Sequence, residues 1–90
     1  MVISREVVIN NKLGMHARAA AKFVQVASRF GSDIEVGRDG KMVNGKSIMG
    51  VMMLAAAKGT QIVITAEGDD ADEAVSSLEQ LVLDRFGEDE

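Results

Sequence analysis

A chain of 90 residues with 47% hydrophobic content and no cysteine has to fold as one domain by packing alone, without disulfides. A net charge of −4, a pI near 4.9 and only three aromatics, all Phe, argue against nucleic-acid binding, which needs a basic surface and stacking rings. No apolar run reaches the roughly 20 residues of a membrane-spanning helix, and the opening Met1-Val-Ile-Ser-Arg-Glu lacks the basic and apolar segments of a secretion signal. The expected place is the reducing cytoplasm, with no membrane insertion.

The first element is a strand over Val2 to Ile9, rich in Val and Ile and stopped by Asn10-Asn11. After Gly14, Ala20, Phe23, Val24, Ala27 and Phe30 recur at spacings of three and four and predict a helix closed by Gly31-Ser32. Ile34 and Val36 alternate with polar neighbours, and Asp39-Gly40 is a two-residue hairpin signal leading to Met42-Val43. Ser47 precedes an apolar run, Ile48 to Ala57, whose Ala and Met content predicts a short second helix ended by Lys58-Gly59. Gln61 to Glu67 predicts a further strand with Ile62 and Ile64 on one face. Asp70 and Glu73 fit a capping box, followed by Ala74, Val75, Leu78, Leu81 and Val82 at helical spacing. The order βαββαβα predicts an α+β open-faced sandwich, a four-stranded antiparallel sheet covered on one face by three helices.

Charge is unevenly spread along this order. Residues 1–66 carry nine Lys/Arg and four Asp/Glu, whereas residues 67–90 carry one Arg and ten Asp/Glu. The molecule is therefore electrically polar, and the acidic end reads either as a solvated helix face or as a functional feature.

Two helix starts hold the residues that could carry chemistry. His16, the only histidine, stands in Leu13-Gly14-Met15-His16-Ala17-Arg18, where the first amides of a helix point outward without internal partners. Those amides and the positive end of the helix dipole would hold a phosphate there and favour a neutral, nucleophilic imidazole. Arg18 would add a second clamp on such a phosphate. From spacing alone the bland alternative stands beside this one: a surface histidine near a cap and a solvated arginine. Metal binding lacks support, because there is no second His and no Cys, and a nucleophilic hydrolase would need a further base. No cofactor is implied.

The second start is Asn44-Gly45-Lys46-Ser47-Ile48-Met49-Gly50-Val51-Met52-Met53. Ser47 is a natural N-cap. The run that follows is apolar nearly all round, so Met49, Met52 and Met53 are either core or an exposed adaptable surface suited to protein partners.

The two segments together resemble the HPr family, the histidine phosphocarriers of the bacterial phosphotransferase system. The resemblance covers Val2 to about Phe86 and rests on Gly14-Met15-His16-Ala17-Arg18, on Lys46-Ser47-Ile48-Met49-Gly50-Val51-Met52, and on Ala57-Lys58-Gly59. It implies a carrier protein, not an enzyme, phosphorylated on Nδ1 of His16 by enzyme I charged from phosphoenolpyruvate. The phosphoryl group would pass to enzyme IIA-type domains in sugar uptake and its regulation. It further implies Arg18 as phosphate contact and Ser47 as a regulatory site for a serine kinase/phosphorylase. Ala17, Ile48, Met49, Met52 and Met53 would form the partner-binding surface of a monomer.

The chain departs from the family pattern in three places. Ala19 stands where most members have Pro, which removes some rigidity at the helix start. Gln25, Ser28 and Gly50 stand where docking lysines are often found. The ending Phe86-Gly-Glu-Asp-Glu90 is similar to the nitrogen-related branch, while the surroundings of Ser47 look like the sugar system of Gram-positive bacteria. The expected organisation is one domain over 1–90 with a flexible acidic tail at 87–90. The alternative function is a regulatory module of the same fold, acting through phospho-Ser47 or protein contacts.

Overall fold

The computed structural model describes all 90 residues. Strand β1 (Val2–Val8) leads to helix α1 (Ala17–Ala27), then to β2 (Asp33–Arg38) and β3 (Lys41–Asn44). Helix α2 (Ile48–Met52), strand β4 (Gln61–Glu67) and helix α3 (Ala71–Leu83) follow, and a 3-10 turn, Arg85–Gly87, ends the order. The sheet order is β1-β4-β2-β3 with every neighbouring pair antiparallel. β1 and β2 therefore run parallel, with β4 filling the gap between them. This is the open-faced α+β sandwich expected from the sequence.

Alternation along the strands separates the faces. Val7, Ile34, Val36, Ile62, Ile64 and Ala66 point under the helices and are buried, together with Phe23, Leu78 and Val82 from the helices. The opposite face is polar, with Ser4 paired to Thr65 at 2.9 Å and Gln61 donating to Glu6 at 2.6 Å. Asp39 and Gly40 form the β2–β3 turn with φ of 52° and 82°, both left-handed as a two-residue hairpin of this type requires.

Besides α1 ending at Ala27, with Phe30 in the turn after it and not in the helix, two details differ from the sequence expectation. Helix α2 stops at Met52 and does not run on toward Ala57. Leu54 and Ala55 bond back three residues, to Val51 and Met52, and Ala55 turns left-handed with φ of 50°. The chain leaves the helix because Ala56 is needed elsewhere: its carbonyl accepts the amide of Met15 at 2.8 Å. The second concerns the capping box of α3, which does not form. Asp70 occupies the cap position without capping its own helix. Its carboxylate accepts the amides of Gly31 at 2.9 Å and Ser32 at 3.0 Å, and the Ser32 hydroxyl. It thereby ties the turn after α1 to the start of α3. These bonds, the Ser32 hydroxyl first, hold the Asp70 carboxyl below its ordinary value of 3.8.

Candidate functional site at the start of helix α1

The loop between β1 and α1 is fixed at both ends by main chain. Ile9 donates to Thr60 at 2.9 Å and accepts from Gly59 at 2.7 Å, and Met15 is buried after its bond to Ala56. Gly14 lies at φ 69°, and a Cβ there would stand 2.6 Å from the Ala56 carbonyl oxygen. Only glycine allows this approach. The side chain of Asn11, wholly buried, donates to the Gly14 carbonyl at 2.8 Å. The residue after this clamp is His16.

His16 is the N-cap of α1, with extended backbone at φ −76° and ψ −178°. Its carbonyl accepts the first helical bond from Ala20 at 2.8 Å, and its Nδ1 accepts from the amide of Arg18 at 3.2 Å. Nδ1 thus does what a Ser or Asp oxygen does at an ordinary cap. An atom that faces an N–H carries a lone pair, so the proton of the neutral ring belongs on Nε2. Nε2 lies 2.5 Å from Oε2 of Glu88.

Glu88 reaches the histidine because the chain reverses after α3. Arg85, Phe86 and Gly87 are left-handed, with φ of 58°, 54° and 78°. Two non-glycine residues in that region are strained unless packing holds them, and Phe86 is held as a fully buried core side chain. Beyond the turn, Glu88 accepts from the Asn11 amide at 3.0 Å through its other oxygen. Burial pushes the Glu88 carboxyl up, but the bonds from Asn11 and His16 and the nearby charge of Lys22 bring it below 4.5. Further along, Glu90 pairs with Lys12 at 3.3 Å. The acidic end is thus neither wholly a solvated face nor detached: Asp72 and Glu73 are exposed, while residues 88–90 lie across the loop before α1.

A shallow pocket results, lined by Lys12, Leu13, His16, Ala17, Arg18, Glu88 and Glu90. The Arg18 side chain is exposed and makes no hydrogen bond or ion pair within the chain. The amides of Ala17 and Ala19 have no partner inside the helix.

Ser47 caps α2, its Oγ accepting from the Gly50 amide at 3.1 Å. α2 packs on α1 and buries Val51 and Leu54, leaving Ile48, Met49, Met52 and Met53 exposed, Met49 at 75%. These methionines are surface and not core. Leu13, 67% exposed beside His16, extends the apolar surface and was not marked by any periodicity. Asn11 and Glu88 also escaped sequence reasoning, since nothing local joins residues 77 positions apart.

The family model for PTS-HPr, described as the PTS HPr component phosphorylation site, matches residues 3–84. The chain belongs to the HPr family. It is 55% identical to phosphocarrier protein HPr of Pseudomonas aeruginosa over 86 residues, covering 94% of this chain and 96% of that one. It is also 47% identical to the HPr-like protein Crh of Bacillus subtilis over 77 residues, 86% of this chain and 91% of that one. Among solved structures it is similar to HPr-C-His of Thermoanaerobacter tengcongensis, with a TM-score of 0.93, 48% identity and 98% and 99% coverage of the two chains. An HPr dimer from the same organism matches at a TM-score of 0.77 and 51% identity, over 91% of this chain and 94% of that one. No helix is long and apolar enough to cross a membrane.

Proposed function

We infer that this chain carries a phosphoryl group on Nδ1 of His16, taken from enzyme I that has been charged by phosphoenolpyruvate. It then gives the group to enzyme IIA-type domains. The observation that carries this reading is the place of Nδ1 at the start of α1, where the Arg18 amide at 3.2 Å is its hydrogen-bond partner. In the transfer, Nδ1 bonds to phosphorus while the bond from phosphorus to the donor atom of enzyme I breaks, its electron pair staying with the donor. The Arg18 amide, released from Nδ1, can donate to a phosphate oxygen, and the unpartnered guanidinium can supply a charge-assisted bond. Exposed Ala17, Ile48, Met49, Met52 and Met53 make the docking surface in this reading. The acting species is the monomer, a point that light scattering decides.

The deciding experiment is incubation with enzyme I and labelled phosphoenolpyruvate, followed by acid. Label that is taken up and then lost in acid supports a phosphohistidine. No label in the parent protein overturns the carrier reading.

Similarity to Crh, the catabolite repression HPr of Bacillus subtilis, favours one second reading, a regulatory module, for which Ser47 is the residue we propose. Acid-stable label from ATP and a serine kinase, with none from enzyme I, would favour it over the carrier.

A further inference from the structure

We propose that Glu88 is a positioning residue for His16, holding the imidazole in its Nε2–H form so that Nδ1 keeps the lone pair that attacks phosphorus. The proposal rests on the carrier reading and adds a residue from the acidic end that the reading itself does not use.

Three observations lead to it. The ring is bracketed, with an N–H donor 3.2 Å from Nδ1 and a carboxylate oxygen 2.5 Å from Nε2. Only one neutral tautomer satisfies both contacts, because the other would set a proton against the Arg18 amide and leave Nε2 with a lone pair facing a carboxylate. The carboxylate is also fixed independently of the histidine. Its second oxygen is held at 3.0 Å by Asn11, whose buried amide also grips Gly14 at 2.8 Å. Finally, the main chain that delivers Glu88 is anchored by Phe86 in the core and by the bond from Lys22 Nζ to the Phe86 carbonyl at 2.6 Å.

A neutral imidazole in water exchanges between its two tautomers, and only the Nε2–H form can attack from Nδ1. Fixing it removes that division before the donor arrives. The same contact serves the product. When Nδ1 bonds to phosphorus, no proton leaves Nδ1, Nε2 keeps its own, and the positive charge gained by the ring faces the Glu88 carboxylate. Carboxylate and phosphoryl group lie at opposite nitrogens, so Glu88 does not have to move aside. Its carboxyl sits below 4.5 and is ionised at neutral pH, through the Asn11 and His16 contacts and nearby Lys22 acting against burial.

The test compares the parent with Glu88→Ala and Glu88→Gln by the nitrogen-15 shifts of the His16 ring at a pH where the ring is neutral, and by the rate of label transfer from phosphorylated enzyme I. The parent should show a protonated-type Nε2 and a lone-pair-type Nδ1. Glu88→Ala should move both shifts toward each other and slow transfer about ten- to a hundredfold, the loss of one charge-assisted hydrogen bond. Glu88→Gln keeps an acceptor oxygen without the charge, so it should restore the shifts and only part of the rate. Unaltered shifts and rate in Glu88→Ala overturn the positioning role while leaving the carrier reading intact. A parent that takes no label overturns the carrier reading and this proposal with it.

Discussion

Lys22 Nζ donates to the carbonyl oxygen of Phe86 at 2.6 Å, joining the second turn of α1 to the left-handed turn that follows α3. Phe86 itself is wholly buried. One residue thus serves the core with its ring and the site with its main chain, because it sets where Glu88 begins. Phe86→Ala should destabilise the fold by about 3–5 kcal/mol, as expected when a large core ring is removed. It should also release Glu88 from Asn11 and His16. Denaturant unfolding measures the first, and hydrogen exchange at residues 87–90 the second. A variant that keeps parental stability would show that the ring is not the anchor.

His16→Ala removes the proposed nucleophile together with the N-cap contact to the Arg18 amide and the contact to Glu88. The variant should still fold, less stable by about 0.5–2 kcal/mol for the lost cap, and take up no label from enzyme I. Full labelling would place the acceptor elsewhere.

Arg18 is exposed and unpartnered, so its guanidinium contributes nothing visible to the fold. Arg18→Ala should slow transfer by about 1.5–3 kcal/mol of lost charge-assisted bonding, about 10- to 100-fold, with melting unchanged. An unchanged rate at limiting enzyme I would make Arg18 a solvated charge.

Asp70 sets an acid-side dependence of stability. Its carboxyl is more acidic in the folded chain than the ordinary 3.8, the Ser32 hydroxyl being the largest cause, followed by the Gly31 amide. Between the folded and unfolded values the unfolded chain binds more protons, so stability rises with pH there. The contribution is complete above about 3.8 and lost as pH falls through the folded value. Asp70→Asn should flatten the stability curve below pH 4, on the order of that carboxyl's range, and leave the neutral-pH slope alone. An equally steep acid limb in the variant would assign it to other carboxylates.

The strands and the β2–β3 hairpin were legible because each is written locally, in alternation and in Asp39-Gly40. His16 and Ser47 were legible as helix starts, and both are N-caps in the structure. What escaped depends on partners far away in the chain. Asp70 looks like the cap of α3, yet Gly31 and Ser32 offer its carboxylate three donors. The run after Ser47 has helical composition to Ala57, yet Ala56 is claimed by Met15 and the helix ends early. The acidic end has the composition of a solvated tail, and only a buried Phe86 and a left-handed turn bring Glu88 to His16.

Met52 separates docking from packing. It is 42% exposed, while Val51 and Leu54 beside it fill the core. Met52→Asp should leave melting close to parental and weaken binding to enzyme I about tenfold or more, because a charge would be buried on contact. Lost stability with intact binding would reverse the assignment.

Ser47 is the cap of α2 and, in the proposed reading, a regulatory site as well. Its Oγ accepts from the Gly50 amide at 3.1 Å at the start of α2, and aspartate is an equally good cap, so Ser47→Asp should keep its melting temperature. A phosphate there adds about −1.5 to −2 charges where helix amides accept it, which leaves the fold neutral or slightly more stable. The effect on binding has the opposite sign. Ser47 opens the segment that presents Ile48, Met49 and Met52, and residues 1–66 carry an excess of five positive charges suited to an acidic partner. An anion at this point repels such a partner. Ser47→Asp should therefore lose transfer from enzyme I at low salt and recover part of it as salt is raised, because the repulsion is screened. Transfer as fast as the parent at low salt would leave Ser47 as a cap alone.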